Sequence, residues 1–244
     1  MSDVAKLYTG GIEYDALIKD GEMAPIYVQY GCGFAVGKDW LNFDSSPTLR
    51  LERLPIVGGM LGRIAGNSQP FPPEVRYGDI SEGLPIADNS VRGVYASHVL
   101  EHLALHDFRK ALQNTFKMLM PGGVFRLVVP DLEERARRYV HEATNHSVDA
   151  SGNFMRRCHL GLEQRPSSLL GRARLLAGGS AHLWMWDQAS MIDELRKVGF
   201  DRVRRCEFGD SGDEMFARVE EPTRFADHQL GLRELAIEAR KPGT

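Results

Sequence analysis

Ten residues separate Gly33 from Asp44, and that interval limits the topologies open to this chain. An apolar run, "PIYVQY" (25–30), leads into Gly31-Cys32-Gly33, and a second run, "WLNFD" (40–44), ends on the acid. Both runs read as buried strands. A glycine turn after one strand and an acid closing the next are parts of a nucleotide-binding βαβ unit. Parallel neighbours ordinarily need a dozen or more residues for their crossover, most of it helix. "FAVGKD" is too short for that helix. The segment is therefore either a nucleotide site with its helix cut short or a turn that resembles one. A dinucleotide fingerprint would need G-x-G-x-x-G and an acid about 20 residues on, and both are missing, which disfavours NAD.

The rest of the chain alternates strands and helices. "VRYGD" (75–79), "VRGVYASH" (91–98), "VFRLVVP" (124–130), "DRVRRCEF" (201–208) and "ELAIEAR" (234–240) read as strands. The run at 124–130 is almost wholly apolar, as suits a strand covered on both faces. From Asp107, read as an N-cap, the apolar period turns helical through Phe108, Ala111, Leu112, Thr115, Phe116, Leu119 and Met120, and "PGG" (121–123) stops it. "LEERARRYVHEATNH" (132–146) and "ASMIDELRKVGF" (189–200, ending at Gly199) read as further helices. The expected fold is α/β: a doubly wound, mostly parallel sheet in a single domain over 1–244. Residues 45–74, rich in Gly and Pro, read as an irregular insertion. Residues 135–186 read as a helical cap over the site, with 150–182 its mobile part. Gly31, Asp44, Asp79 and His98 all fall at strand ends, where ligands bind on such sheets.

Bulk properties narrow the function. A formal net charge of −3 argues against a general nucleic-acid binder. Three cysteines without paired spacing fit a reduced, cytoplasmic chain. No run approaches the ~18 apolar residues of a membrane span. Charge is uneven, however: residues 135–174 hold eight arginines against three acids. That stretch is either a solvated basic face or a clamp for an anionic acceptor, since Arg grips carboxylate and phosphate bidentately.

Several residues can carry chemistry. Gly31 and Gly33 let a ligand approach the backbone without a Cβ in the way. Asp44 can accept from both ribose hydroxyls, and Asp79 from an adenine amine while Ile80 packs the ring. "SHVLEH" (97–102) contains His98-x-x-Glu101-His102, the literal H-x-x-E-H pattern of a zinc hydrolase. Zinc would need a third ligand, and His98 sits at a strand end rather than within a long helix. No metal is expected. The plain alternative is a helix start with Glu101 favouring the dipole.

Taken in order, "GCG…WLNFD", "VRYGDISEGLPIADNSVRGVYASHVLEHL", "KMLMPGGVFRLVVPDL" and "IDELRKVGF" resemble a class I S-adenosylmethionine-dependent methyltransferase of the type 11 kind. More narrowly, they are similar to a subgroup associated with bacterial surface-polysaccharide loci. The resemblance implies a Rossmann-like fold and S-adenosylmethionine as cofactor. It puts Gly31 and Gly33 in the cofactor loop, Asp44 at the ribose, Asp79 and Ile80 at the adenine, and Ser97 and His98 at the methionine end. Gln29 stands where the family commonly has an acid.

Methyl transfer to a hydroxyl gains from a general base. His98 is the first candidate and His182, in "GGSAHLWMWD", the second; the plain reading of His182 is a packed structural residue. Trp184 and Trp186 alternate, so at most one of them faces a pocket, and lone aromatics of this kind are more often core. The expected reaction is O-methylation of a sugar, glycan or similar polar small molecule, anionic if the arginines bind it. A catalytically silent scaffold of the same fold is the alternative from another class.

Overall fold

In the computed structural model, which describes residues 18–19, 22–23, 26–53, 69–164, 181–227 and 231–243, the expected strands form one sheet. They are β1 (Ile26–Tyr30), β2 (Leu41–Asp44), β3 (Val75–Tyr77), β4 (Val91–Ser97), β5 (Leu119–Val129), β6 (Asp201–Arg205) and β7 (Leu235–Arg240). Their spatial order is β3-β2-β1-β4-β5-β7-β6, with β7 antiparallel to both its neighbours and the other pairs parallel. Strand order reverses between β1 and β4, which makes their C-terminal ends the switch point. This is the doubly wound, mostly parallel Rossmann-like sheet expected from the sequence.

One face of the sheet is covered as the apolar period requires. Helix α2 (Leu105–Met118) buries Phe108, Ala111, Leu112 and Thr115, and α5 (Gln188–Val198) buries Met191 and Leu195. Each such Phe or Leu contributes roughly 1.5–3 kcal/mol by leaving water. Helix α5 starts on an Asp187–Ser190 capping box and stops at Gly199, whose φ of 113° only glycine adopts cheaply. Helix α2 differs from expectation at both ends. It begins after Ala104, with Asp107 in its first turn, and it ends at Met118. Leu119 is already extended, and "PGG" lies within β5 as an irregularity where pairing passes from Val91–Leu119 to Gly93–Val124.

The other face carries the answer to the short crossover. No helix links β1 to β2. Tyr27, Trp40 and Tyr95 are covered instead by a 3-10 turn from far along the chain, Glu214–Arg218, whose Phe216 is fully buried. Trp40 meets Phe216 edge-on at 5.4 Å and donates its Nε1–H to the Met215 carbonyl at 3.1 Å. The buried Arg126 lies on this face too, bonded to Glu220 (2.6 Å) and Glu238 (2.7 Å) and set 5.6 Å over the Phe216 ring.

The insertion is partly regular. Helix α1 (Pro47–Glu52) packs Leu49 into a small cluster with Cys32, Phe71 and Val75. Arg53 ties its end to the Pro72 and Val75 carbonyls, and residues 54–68 lie outside those described. Of the expected cap, α3 (Leu132–Thr144) and α4 (Ala150–Arg157) pack together, while residues 165–180 also lie outside those described. Among the described residues no helix is long and apolar enough to cross a membrane.

Candidate functional site

The loop after β1 is held by the acid after β2. Oδ2 of Asp44 accepts the Gly33 N–H at 2.8 Å and Oδ1 accepts the Ser46 N–H at 2.8 Å. The Cys32 N–H donates to the Phe43 carbonyl at 3.1 Å. The loop N–H groups of Cys32 and Gly33 are thus bonded within the chain rather than free for a ligand. The two glycines also differ. Gly31 (φ 64°) lies under Val99: a Cβ there would fall 2.1 Å from Val99 Cγ2. Gly33 (φ 56°) has open space where a Cβ would point. One glycine is needed for packing and the other leaves a cradle.

Register brings the remaining strand ends to the same edge. Tyr30 pairs with Phe43 and with Ala96, and Asp44 pairs with Tyr77, so Asp79, Asp44, Gly31 and Ser97 follow one another along it. Asp79 Oδ1 accepts from the Ser81 N–H and hydroxyl, at 2.9 and 2.7 Å. Ile80 is only 4% exposed and belongs to the core. The Ser97 hydroxyl and Gln29 Oε1 are buried without a hydrogen-bond partner of ordinary geometry. A nucleotide cofactor fits this edge: the cradle at Gly33 is open, orphaned polar atoms line it, and each Asp44 oxygen keeps a second lone pair.

Beyond β4 the chain turns sharply. His98 has φ 54°, a strained state for a non-glycine residue costing roughly 1–3 kcal/mol. Its Nε2–H donates to the Arg224 carbonyl at 2.9 Å, and its Nδ1 lies 3.4 Å from Oε1 of the fully buried Glu101. Burial by itself pulls the His98 pKa down; the Glu101 carboxylate, the Arg224 carbonyl and Glu234 outweigh it, and the net shift is upward. Nε2 is thereby committed within the chain, and Nδ1 faces the Glu101 carboxylate.

His182 is different. It is 8% exposed, its Nδ1 has no hydrogen-bond partner, and burial lowers its pKa to about 4. It lies between His102 and His159, with ring centroids at 5.1 and 4.7 Å. The segment carrying it is pinned by the Leu183 and Trp184 N–H groups, which donate to the Glu101 carbonyl. Trp186 turns inward and stacks on Phe108 at 4.2 Å, leaving Trp184 exposed.

His98, His159 and His182 share a cavity of about 420 Å³ with Arg135, Thr223 and Glu234. The sequence reading missed Thr223 and Glu234, because they sit far from any motif and arrive through the α6 (Pro222–Phe225) turn and the start of β7. Arg135 belongs to the stretch read as either a solvated basic face or an anion clamp. Arg135 is buried and grips Glu234 bidentately, at 2.9 and 3.0 Å. Arg138 and Arg157 pair with Glu142, Arg137 with Glu133, and Arg156 with Glu163. The described part of the arginine-rich stretch is therefore charge-paired.

Among solved structures, a SAM-dependent methyltransferase from Methanosarcina mazei is 16% identical, with 100% of this chain and 99% of that one covered at a TM-score of 0.47. One from Archaeoglobus fulgidus is 15% identical, covering 97% and 90% at 0.45. No curated protein matches. Residues 28–127, from β1 through most of β5, match the family model described as a methyltransferase domain.

Proposed function

We propose that the chain is an S-adenosylmethionine-dependent methyltransferase acting on a hydroxyl of a sugar, glycan or similar polar small molecule. The observation that carries this is the adjacency of a nucleotide-compatible strand edge, closed by Asp44, to a polar cavity entered past His98. The bound cofactor supplies an electrophilic methyl group on a sulfonium. Asp44 and the Gly33 cradle bind and orient its nucleoside, with Asp79 at the base and Ile80 as the floor beneath it. Ser97 and Gln29 offer their unpartnered polar atoms toward the methionine end. His98 faces the cavity and orients the acceptor. His182, kept neutral by burial, is the cavity residue with a lone pair for the hydroxyl proton.

The paired arginines favour a neutral polar acceptor over an anionic one, since a second anion would have to displace the buried Glu234 from Arg135. The silent-scaffold reading is supported by the loop N–H groups already spent within the chain. Calorimetric titration of the full chain with S-adenosylmethionine and S-adenosylhomocysteine decides between them. Micromolar binding weakened in Asp44→Asn supports the enzyme. No binding by a folded sample supports the scaffold. Transfer of labelled methyl to neutral and to phosphorylated sugars then tests the acceptor class.

A further inference from the structure

We infer that Glu101, His102 and His182 form a binding site for one divalent transition cation, of which Zn²⁺ is the representative. The H-x-x-E-H pattern predicts His98 and His102 as a ligand pair. His98 instead gives its Nε2–H to the Arg224 carbonyl, and His182, eighty residues after His102, completes the set with Glu101 and His102.

Three observations carry the site. One ligand atom each from Glu101, His102 and His182 lies within 4.8 Å of the others. The Nδ1–H of His102 donates to the Ala181 carbonyl at 3.1 Å, which orients the ring with Nε2 3.9 Å from Glu101 Oε1. A metal-binding histidine is ordinarily held by such an outer bond. Neither Glu101 oxygen accepts a hydrogen bond of ordinary geometry, and His182 Nδ1 has no partner either, although Glu101 is 0% and His182 8% exposed. The buried Glu101 carboxylate faces imidazole nitrogens only at a distance, His98 Nδ1 at 3.4 Å and His102 Nε2 at 3.9 Å, and a cation between it and the rings of His102 and His182 would offset the cost of burying it.

Two nitrogens and one carboxylate oxygen suit Zn²⁺ and neighbouring first-row cations, and leave at least one position open. Bonds of about 2.0–2.2 Å around a tetrahedral ion put ligand atoms roughly 3.3–3.6 Å apart, so a set now within 4.8 Å closes by up to about an ångström through side-chain rotation. His182 also lines the cavity, and an ion there reaches a molecule bound in it. Occupancy would engage the His182 lone pair and let the ion lower the pKa of a bound hydroxyl instead. That consequence rests on the methyl-transfer reading; the binding does not.

The test is titration of the chelator-stripped full chain with Zn²⁺ by calorimetry, and with Co²⁺ by visible absorption. Saturable binding of one equivalent is expected, with Co²⁺ bands of low coordination number. His102→Ala and His182→Ala should each weaken it by more than the roughly 10–100-fold lost with an outer partner. His141→Ala, at an exposed site on α3, should leave it unchanged. Circular dichroism establishes that each variant is folded. No saturable binding by the folded chain, or binding undiminished in both variants, overturns the site. Titrating the metal-free chain with S-adenosylmethionine keeps a failure here distinct from a failure of the methyltransferase reading.

Discussion

The Gly33 N–H and the Asp44 carboxylate are joined across 2.8 Å, so the acid that closes β2 also holds the loop that closes β1. A residue expected to serve the ribose has a second task in the chain itself. Asp44→Ala should therefore weaken S-adenosylmethionine binding and lower stability together. Each hydrogen bond lost from a charged acceptor costs about 1.5–3 kcal/mol. Asp44→Asn, which keeps one acceptor oxygen, should lose less of each. Paired calorimetry and urea unfolding would measure both, and wild-type affinity in folded Asp44→Ala would remove Asp44 from the site.

Gly31 and Gly33 should respond unequally to a methyl group. Gly33→Ala bears only the left-handed backbone cost, about 1–2 kcal/mol. Gly31→Ala bears that and a collision with Val99, adding roughly 1–3 kcal/mol for overpacking. Val99→Ala in the Gly31→Ala background should recover the second part. Equal losses at the two glycines, read from unfolding midpoints, would contradict the close approach.

Arg126 is 1% exposed and bridges the buried Glu220 and Glu238. Arg126→Met keeps bulk on that face but leaves Glu220 buried without its cation and Glu238 with the more exposed Arg204, at 3.2 Å. Breaking such a network from one side costs about 3–5 kcal/mol. Adding Glu220→Gln should return part of it in denaturant titration.

Glu194 on α5 accepts from Arg109 twice at 2.8 Å and from Lys197 at 3.0 Å. Those partners, Arg109 first, hold its pKa at about 2 against an ordinary 4.5. A carboxylate lowered on folding stabilises the protein above its unfolded pKa and stops doing so as pH falls through the folded one. The stability gap between wild type and Glu194→Gln should be full at pH 6, shrink from about pH 4.5, and close near pH 2. A gap that does not change across that range would rule out the ion pair as its source.

Local pattern made the sheet and its helices legible, because strand runs and the 3.6-residue period are written within a few residues. Gly199 and Asp187 mark α5 as a capping argument would. The boundaries of α2 slipped because Leu119 and Met120 continue the apolar period while their backbone has already become extended. The strand-end residues were legible for the same local reason. The cavity was not: Glu234 and Thr223 reach it through tertiary packing, and Arg135 looked like surface charge until its partner, ninety-nine positions away, was in view. The H-x-x-E-H motif illustrates both sides, since its glutamate and second histidine are adjacent in the structure while the third group comes from His182.

The turn at Glu214–Arg218 that roofs Tyr27 and Trp40 also sets an order of events during synthesis. The Trp40–Met215 bond spans 175 positions. Until the ribosome has passed that point, the aromatic side of β1 and the loop beside it have nothing to pack against, and pairings this remote in sequence form slowly. The nucleotide edge, though encoded early, is completed late. A nascent chain halted after α5 would expose that aromatic patch to chaperones, and a substitution at Phe216 would be felt first as reduced yield of folded protein.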